Sequence, residues 1–442
     1  MNPSYQILSY SDENLIKALT TPFVSEEKLV ERNHFKYFQD YLSDDDGIGA
    51  KTILIENDYI SKAYLVDYSN YYSTCFQDYG RKCKRVHFFG QSFDEKQFER
   101  ELLNPKSNFL SDHYLGYIVI KPLPDSIIGP TLLKTYDQRG DGKKRYYPSC
   151  RPYKVHLFGH EFEINSLAYQ EQDTVVAACA SVAIWTAFHK TSNLFDTNLP
   201  SPSEITKRAG NLFLNYGRTF PNPGLDVTQI CKAIESVGLV SEFVISTFFE
   251  SNVKLAKRLV YAYNKAGLPV LLFLKFSDGN GHLITINGYS DVAVKRDRTE
   301  AITLVADDIE KFYAHDDQVG PFARMKFLDS EEIETSWWDA NGETVKGKIY
   351  SVIIPVYPKI RIKFQDVFDK VSLIDIILFQ ANLFQEEIQW DIYLTESNSY
   401  KNDILEGDFN SVVKLKTCSI CSTFKSFIEI KSCFIFSSTL LF

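Results

Sequence analysis

The chain has 442 residues, 44% hydrophobic and 24% charged, which is the balance of a globular protein of two or three domains. Its net charge of -9 excludes broad nonspecific binding to nucleic acid or to an anionic membrane surface. No leader is recognisable in the first residues and no apolar run reaches about 18 residues, so we expect a cytoplasmic protein without a membrane span.

The first third of the chain alternates short strand-like and helix-like segments. Strands are predicted over residues 51–56, 84–89 and 116–124, and a helix over residues 94–102, with Asp94 near its start. Residues 135–152 are rich in turn formers and charge, which predicts a long loop near a domain boundary. We therefore assign residues 1–152 to a mixed α/β region, in which we find no chemical motif.

Beyond this loop the pattern becomes regular. Helices are predicted over residues 174–189, 200–217, 225–239, 252–267 and, near the C-terminus, 366–384. Strands are predicted as a pair over residues 155–164 and then over residues 269–276, 282–289, 310–316 and 348–362. Ser201 or Ser203, and later Asp226, are candidate helix caps. Helices followed by an antiparallel sheet predict an α+β domain over residues 153–362, with a C-terminal extension over 363–442.

The chain contains eight cysteines, and their spacing shows no compact disulfide framework. In a reducing compartment they are expected to be free thiols. Cys418 and Cys421 form a CxxC pair, but a zinc site needs four ligands and no second pair completes this one. The sequence therefore predicts neither a metal site nor a bound cofactor.

Cys179 and His282 carry the strongest chemical signal. Cys179 lies in a helical stretch of small apolar residues, and a thiol at a helix N-terminus is stabilised as the reactive thiolate. His282 stands at the start of a predicted strand, directly after Gly281. A histidine beside a thiol can form the ion pair that activates it. Each residue alone is ordinary, and only the pair predicts catalysis.

Two further groups complete such a site. An acceptor must orient the imidazole, and Asp316, at the end of the next predicted strand, is the first candidate. Asp317 is the alternative, and Asp307 and Asp308 are weaker candidates. Gln172 precedes the cysteine and can supply a side-chain amide to an oxyanion. Downstream, the adjoining tryptophans 337 and 338 are expected to pack near a cleft.

The order of these pieces resembles the papain-like cysteine peptidases, closest to the bacteriocin-leader peptidase-like (double-glycine peptidase-like) branch. In that branch the cysteine opens a helix of small residues, here CASVAIW over 179–185. A G-x-P-V strand, a GH strand ending in GY and a DP-x-x-G-like turn follow, matched by residues 267–270, 281–289 and 316–320. Asp317 stands where the family has proline. The resemblance covers roughly residues 165–320.

The resemblance implies a papain-like fold with Cys179 as nucleophile, His282 as general base and acid, Asp316 as orienting group and Gln172 as oxyanion donor. Gln172 lies seven residues before Cys179, where the family usually has six. The implied activity is cleavage of a peptide or amide bond, with a peptide or protein as substrate. The alternatives are an acyl transferase on the same fold and a catalytically inactive protein-binding module whose flanking regions contact a partner.

Overall fold

The fold is known from a computed structural model of the chain. It describes residues 4–44, 46–104, 106–138, 144–173, 179–210, 224–248, 254–291, 302–328, 332–338, 342–381, 389–396 and 434–441. The predicted CxxC pair at Cys418 and Cys421, and the loop residues 139–143, lie outside these ranges. Among the described helices, none combines the length and the hydropathy that crossing a lipid bilayer requires.

A five-stranded antiparallel sheet organises the N-terminal part of the chain. Its strands lie side by side in chain order: β1 (Tyr5–Ser9), β2 (Thr52–Tyr59), β3 (Cys83–Phe89), β4 (Tyr114–Ile120) and β5 (Ile128–Leu133). The accompanying helices are α1 (Asp12–Leu19), α2 (Glu26–Val30), α3 (Asn33–Leu42), α4 (Lys62–Asn70), α5 (Glu95–Leu102) and α6 (Phe109–Asp112). The side chain of Asp94 caps α5 as its position predicts, by accepting a hydrogen bond from the amide of Gln97.

The middle of the chain forms helices in the predicted order. After β6 (Lys144–Tyr146) and the hairpin of β7 (Arg151–Leu157) and β8 (His160–Ser166) come α7 (Cys179–Phe195), α8 (Pro202–Ala209), α9 (Val227–Glu235), β9 (Val240–Ile245) and α10 (Leu255–Asn264). Ser201, rather than Ser203, is the N-cap of α8 and forms a capping box with Glu204. Asp226 caps α9 in the same way with Gln229.

An eight-stranded antiparallel sheet follows these helices. Its further strands are β10 (Val270–Lys275), β11 (Gly281–Asp291), β13 (Ile309–Asp316), β14 (Gly320–Phe327), β15 (Glu332–Trp338) and β16 (Thr344–Val356), while β12 (Thr303–Leu304) lies outside it. Because β10 pairs with both β11 and β16, these six strands close into a ring. β9 extends the sheet beside β16, and β6 pairs with β11. The α+β prediction is confirmed.

Several strands differ from the sequence expectation. β6 lies inside the loop predicted over residues 135–152, because its three residues pair with β11. β9, β14 and β15 were not predicted. β14 begins with Gly320 and Pro321 and then mixes basic with apolar residues, and β15 has acidic and hydroxyl side chains among its apolar ones, so neither has a continuous apolar signal. Their pairing partners in the sheet, and not local propensity, determine these strands.

The described parts of the chain share their cores. Tyr313 of β13 and Phe322 of β14 are buried in the same cluster as the helices and strands of the N-terminal sheet. At the other end, α11 (Phe364–Gln380) and β17 (Gln389–Glu396) bury Phe364 and Trp390 in the core of the eight-stranded sheet. The last described strand, β18 (Phe434–Leu441), pairs with β17. Packing therefore crosses both predicted domain boundaries.

Candidate active site

Cys179 is the first residue of α7 and is half-buried. The helix packs against β11, where the hydroxyl of Thr285 donates a hydrogen bond to the carbonyl of Ala183 at 2.9 Å. This contact holds the first turns of α7 across the strand that carries His282. Residues 174–178, the start of the helix predicted from the sequence, lie outside the described ranges.

His282 is paired with Asp316 because their strands are neighbours. In the register of β11 and β13, Thr285 stands opposite His315, which brings the start of one strand to the end of the other. The Nε2 atom of His282 lies 3.0 Å from Oδ1 of Asp316. Both side chains are buried, at 2% and 0% exposure. The predicted histidine and its first-choice aspartate are therefore brought together.

The Cys179 thiol acts on the same imidazole. Hydrogen bonding to this thiol is among the interactions that raise the pKa of His282. Since Nε2 is taken by Asp316, Nδ1 is the nitrogen left for the sulfur. Nδ1 is buried and has no hydrogen-bond partner among the described residues, so it is not engaged by another group.

The electrostatics of the site favour a charged imidazole. Burial acts to lower the pKa of His282, but the negative charge and the hydrogen bond of Asp316 act against it, with smaller contributions from Cys179 and Asp317. The outcome is a pKa well above the usual range for histidine. At neutral pH the ring therefore holds its proton, which is the form that stabilises a neighbouring thiolate.

Trp337 is the functional neighbour that sequence reasoning did not assign. Its indole Nε1 donates a hydrogen bond to Oδ2 of Asp316 at 2.7 Å, and its ring lies 4.9 Å from the His282 ring between centroids. Phe276 stacks on this tryptophan with ring centroids 4.7 Å apart and lies 6.4 Å from the His282 ring. The only sequence signal was the pair of adjoining tryptophans, and the second of them, Trp338, is 68% exposed.

Asp317 lies beside the His282–Asp316 pair, but its carboxyl group is in a different protonation state. Its Oδ1 is 3.5 Å from Nε2 of His282, and neither carboxyl oxygen has a hydrogen-bond partner among the described residues. Burial is the main cause that raises the pKa of Asp317, to about 7, although His282 acts to lower it. Asp316 is thus the closer and better-bonded orienting group, and Asp317 is a second acid that is largely protonated below neutral pH.

The two weaker candidates for the group that orients His282, Asp307 and Asp308, bond to other residues. Asp307 forms a buried ion pair with Arg258, with both nitrogen to oxygen distances at 2.8 Å. Asp308 accepts a hydrogen bond from the side chain of Gln389 at 2.6 Å. Both are therefore wrong as orienting groups for His282, because their segment precedes β13 and turns towards α10 and β17.

Gln172 is brought to the same turn by its backbone. Its amide lies 3.5 Å from the carbonyl oxygen of Asp317, and the residue is half-buried. The preceding segment runs along β5, where Tyr169 and Thr131 exchange backbone hydrogen bonds. The direction of the Gln172 side-chain amide relative to the thiol stays a prediction.

A metal ion is a further possibility for these side chains. His282, Asp316 and Asp317 each offer one ligand atom, and these atoms lie within 4.8 Å of one another. The hydrogen bonds of Asp316 disfavour a cation there, because its two carboxylate oxygens already accept from the Gln318 amide and the Trp337 indole. The donor set fits a hydrogen-bonded ion pair better than a metal centre.

Comparison with known proteins adds no assignment. No model of a known protein family matches the chain, and no curated protein matches it.

Proposed function

We propose that the protein is a papain-like cysteine hydrolase that cleaves a peptide or amide bond through Cys179, His282 and Asp316. The observation that carries the proposal is the buried His282 ring, which bonds Asp316 at 3.0 Å and whose pKa is raised well above the usual range by Asp316, with a smaller contribution from the Cys179 thiol. The sequence supports the same proposal. Its helix, its GH strand and its aspartate turn follow one another in an order like that of the papain-like peptidases.

The reaction follows from these three groups. The Cys179 thiolate attacks the carbonyl carbon of the substrate, and the new sulfur to carbon bond places negative charge on the carbonyl oxygen. His282 then gives its proton to the leaving nitrogen as the carbon to nitrogen bond breaks, which leaves an acyl thioester. Water attacks the thioester while His282 accepts its proton, and the acid departs from the sulfur.

Asp316 and Trp337 have supporting roles in this scheme. The carboxylate holds the imidazole by Nε2, so that Nδ1 is directed to the thiol. The indole of Trp337 fixes the second carboxylate oxygen and covers the pair on one side. Gln172 is proposed as the donor to the oxyanion.

The test is labelling by a thiol-directed peptide probe at about pH 6, where an ordinary thiol with a pKa near 8.5 is protonated. We expect the wild-type protein to be labelled and Cys179→Ala to lose the label while keeping its circular dichroism spectrum. Cys231→Ala, which removes a half-buried thiol from α9, is the matched control and should be labelled normally.

Equal labelling of Cys179→Ala would overturn the proposal. Labelling of Cys179 only at a pH where any free thiol reacts would instead indicate a binding module. Adding an amine together with a cleavable peptide separates hydrolysis from acyl transfer, because only a transferase gives mainly the amide product.

A further inference from the structure

His34 connects two loops of the candidate site from outside the predicted catalytic domain. It lies on α3, and its Nε2 donates a hydrogen bond to the backbone carbonyl of Asp317 at 2.9 Å. Its Nδ1 lies 3.7 Å from Oε1 of Glu171, the residue before Gln172, and the side chain is 13% exposed. One imidazole thus bonds the aspartate turn and faces the loop that carries the candidate oxyanion donor.

Glu171 is itself fixed by the N-terminal sheet. Its Oε2 accepts a hydrogen bond from the amide of Ile128 at 2.9 Å, and its own amide donates to the Ile128 carbonyl at 3.1 Å. Arg32 approaches Oε1 at 3.6 Å. The carboxylate that faces His34 therefore belongs to a rigid contact between β5 and the Gln172 loop.

Tyr37, one helical turn after His34, contacts the same turn between β13 and β14. Its hydroxyl donates a hydrogen bond to the carbonyl of Pro321. Its ring occupies the space beside Gly320, where an added Cβ would lie only 2.1 Å from Cδ1 of the tyrosine. Residues three apart on a helix share one face, so α3 contacts the turn after Asp316 at two points.

We propose that His34 is a positioning residue of the active site, which holds the Asp317 carbonyl and thereby fixes the turn from which Asp316 orients His282. The inference rests on the proposed function, because positioning matters only where His282 acts on Cys179. It makes the N-terminal region part of the catalytic apparatus and not an independent module.

The test measures how fast iodoacetamide alkylates Cys179 between about pH 5 and 9, a range spanning the ordinary histidine and thiol pKa values. Mass spectrometry of the Cys179 peptide distinguishes this thiol from the others. We expect His34→Leu to slow alkylation at the acid end about fivefold, the effect of one lost neutral hydrogen bond, and to move the profile to higher pH. His34→Gln should restore the profile, since its amide can donate to the same carbonyl.

His113→Leu is the control, since it removes a histidine of the same region that contacts the ring of Phe109. The inference would be overturned if His34→Leu and His34→Gln both showed the wild-type dependence of the alkylation rate on pH. It would also be overturned if both variants shifted that dependence equally. Should His34→Leu fail to fold, His34→Asn, which is too short to reach the carbonyl, takes its place. Failure of the proposed function gives a different result: wild-type Cys179 would then react at about pH 6 no faster than a free thiol whose pKa is near 8.5.

Discussion

Asp316 and Asp317 are adjacent in the sequence, yet their environments give them opposite states. Burial acts to raise the pKa of Asp316, but His282, the Gln318 amide and Trp337 together hold it below the usual range. Asp317 is also buried and has no such donor in the part of the chain that the structure describes, so its pKa rises to about 7. The first aspartate is therefore a fixed anion, and the second changes its charge near neutral pH.

Replacement of Asp317 by asparagine should stabilise the protein at alkaline pH. A carboxyl whose pKa is about 7 in the folded state and about 3.9 in the unfolded state favours folding at acid pH, and this contribution is lost as the pH rises from about 4 to about 7. Above that window the wild type contains a buried charge that no described residue stabilises with a hydrogen bond. Thermal melts of Asp317→Asn should exceed wild type by a few degrees at about pH 8, on the order of 2 kcal/mol, and the difference should shrink towards about pH 4.

Asp316→Asn is the contrasting variant. Its pKa is lowered in the folded state, so the wild-type carboxylate contributes stability above the unfolded pKa of about 3.9, and that contribution is lost as the pH falls. We expect Asp316→Asn to melt below wild type at neutral pH and to lose reactivity at Cys179. An Asp317→Asn protein that melted below wild type at alkaline pH would contradict this account of the two carboxyls.

At the scale of helices and strands, the contact between α3 and β14 depends on a glycine, Gly320, which has no side chain. Gly320 opens β14 directly beneath the Tyr37 ring, and a methyl group there meets ring atoms at 2.1 and 2.2 Å. The tyrosine cannot simply move away, because its hydroxyl is bonded to the Pro321 carbonyl. The helix and the strand therefore separate if the glycine is enlarged.

Gly320→Ala is expected to destabilise the protein by about 1–3 kcal/mol, the usual cost of overpacking, and to slow alkylation of Cys179 because the aspartate turn shifts. Chemical denaturation measures the first effect and mass spectrometry the second. Gly90→Ala is the matched control, because the nearest atoms to an added Cβ lie at 3.7 Å there, an ordinary contact. If Gly320→Ala unfolded at the same denaturant midpoint as the wild type, α3 and β14 would not be tightly packed.

Local signals explain which elements the sequence could predict. Caps such as Asp94, Ser201 and Asp226 act within one helical turn, and strands with continuous apolar runs such as β10 were visible for the same reason. Cys179 and His282 stand out in the sequence because nucleophilic catalysis restricts its residue types, and their role as a catalytic pair stays a prediction. His34 bonds a carbonyl 283 residues away, and Trp337 acts through an indole nitrogen, so neither has a periodic or spaced signature.

For the whole molecule, the shared cores imply that the predicted catalytic region does not stand alone. Tyr313 and Phe322 pack into the N-terminal core, and Phe364, Phe368 and Trp390 fill the core of the eight-stranded sheet. Removal of either partner exposes large apolar side chains, each of which contributes about 1.5–3 kcal/mol when buried. The three predicted regions are therefore expected to fold together.

A fragment of residues 153–362 should accordingly be aggregated or unfolded, whereas the full chain should melt cooperatively. Size-exclusion chromatography and near-ultraviolet circular dichroism compare the two. The opposite finding, a monomeric fragment with a cooperative transition, would mean that the contacts of α3, α11 and β17 with the sheet contribute little to its stability.

The ring of strands also has a consequence for synthesis. It closes where β16 pairs with β10, through contacts such as Leu271 with Ile353. The N-terminal sheet is complete once residue 133 has been made, and domains can fold while the ribosome is still working. The strand beside His282 gains its second neighbour only when residues near 353 emerge. A nascent chain therefore carries its Cys179 thiol while roughly two-fifths of the 442 residues are still to be added before the ring that frames the histidine can close, which would keep the unfinished form of the proposed hydrolase inert.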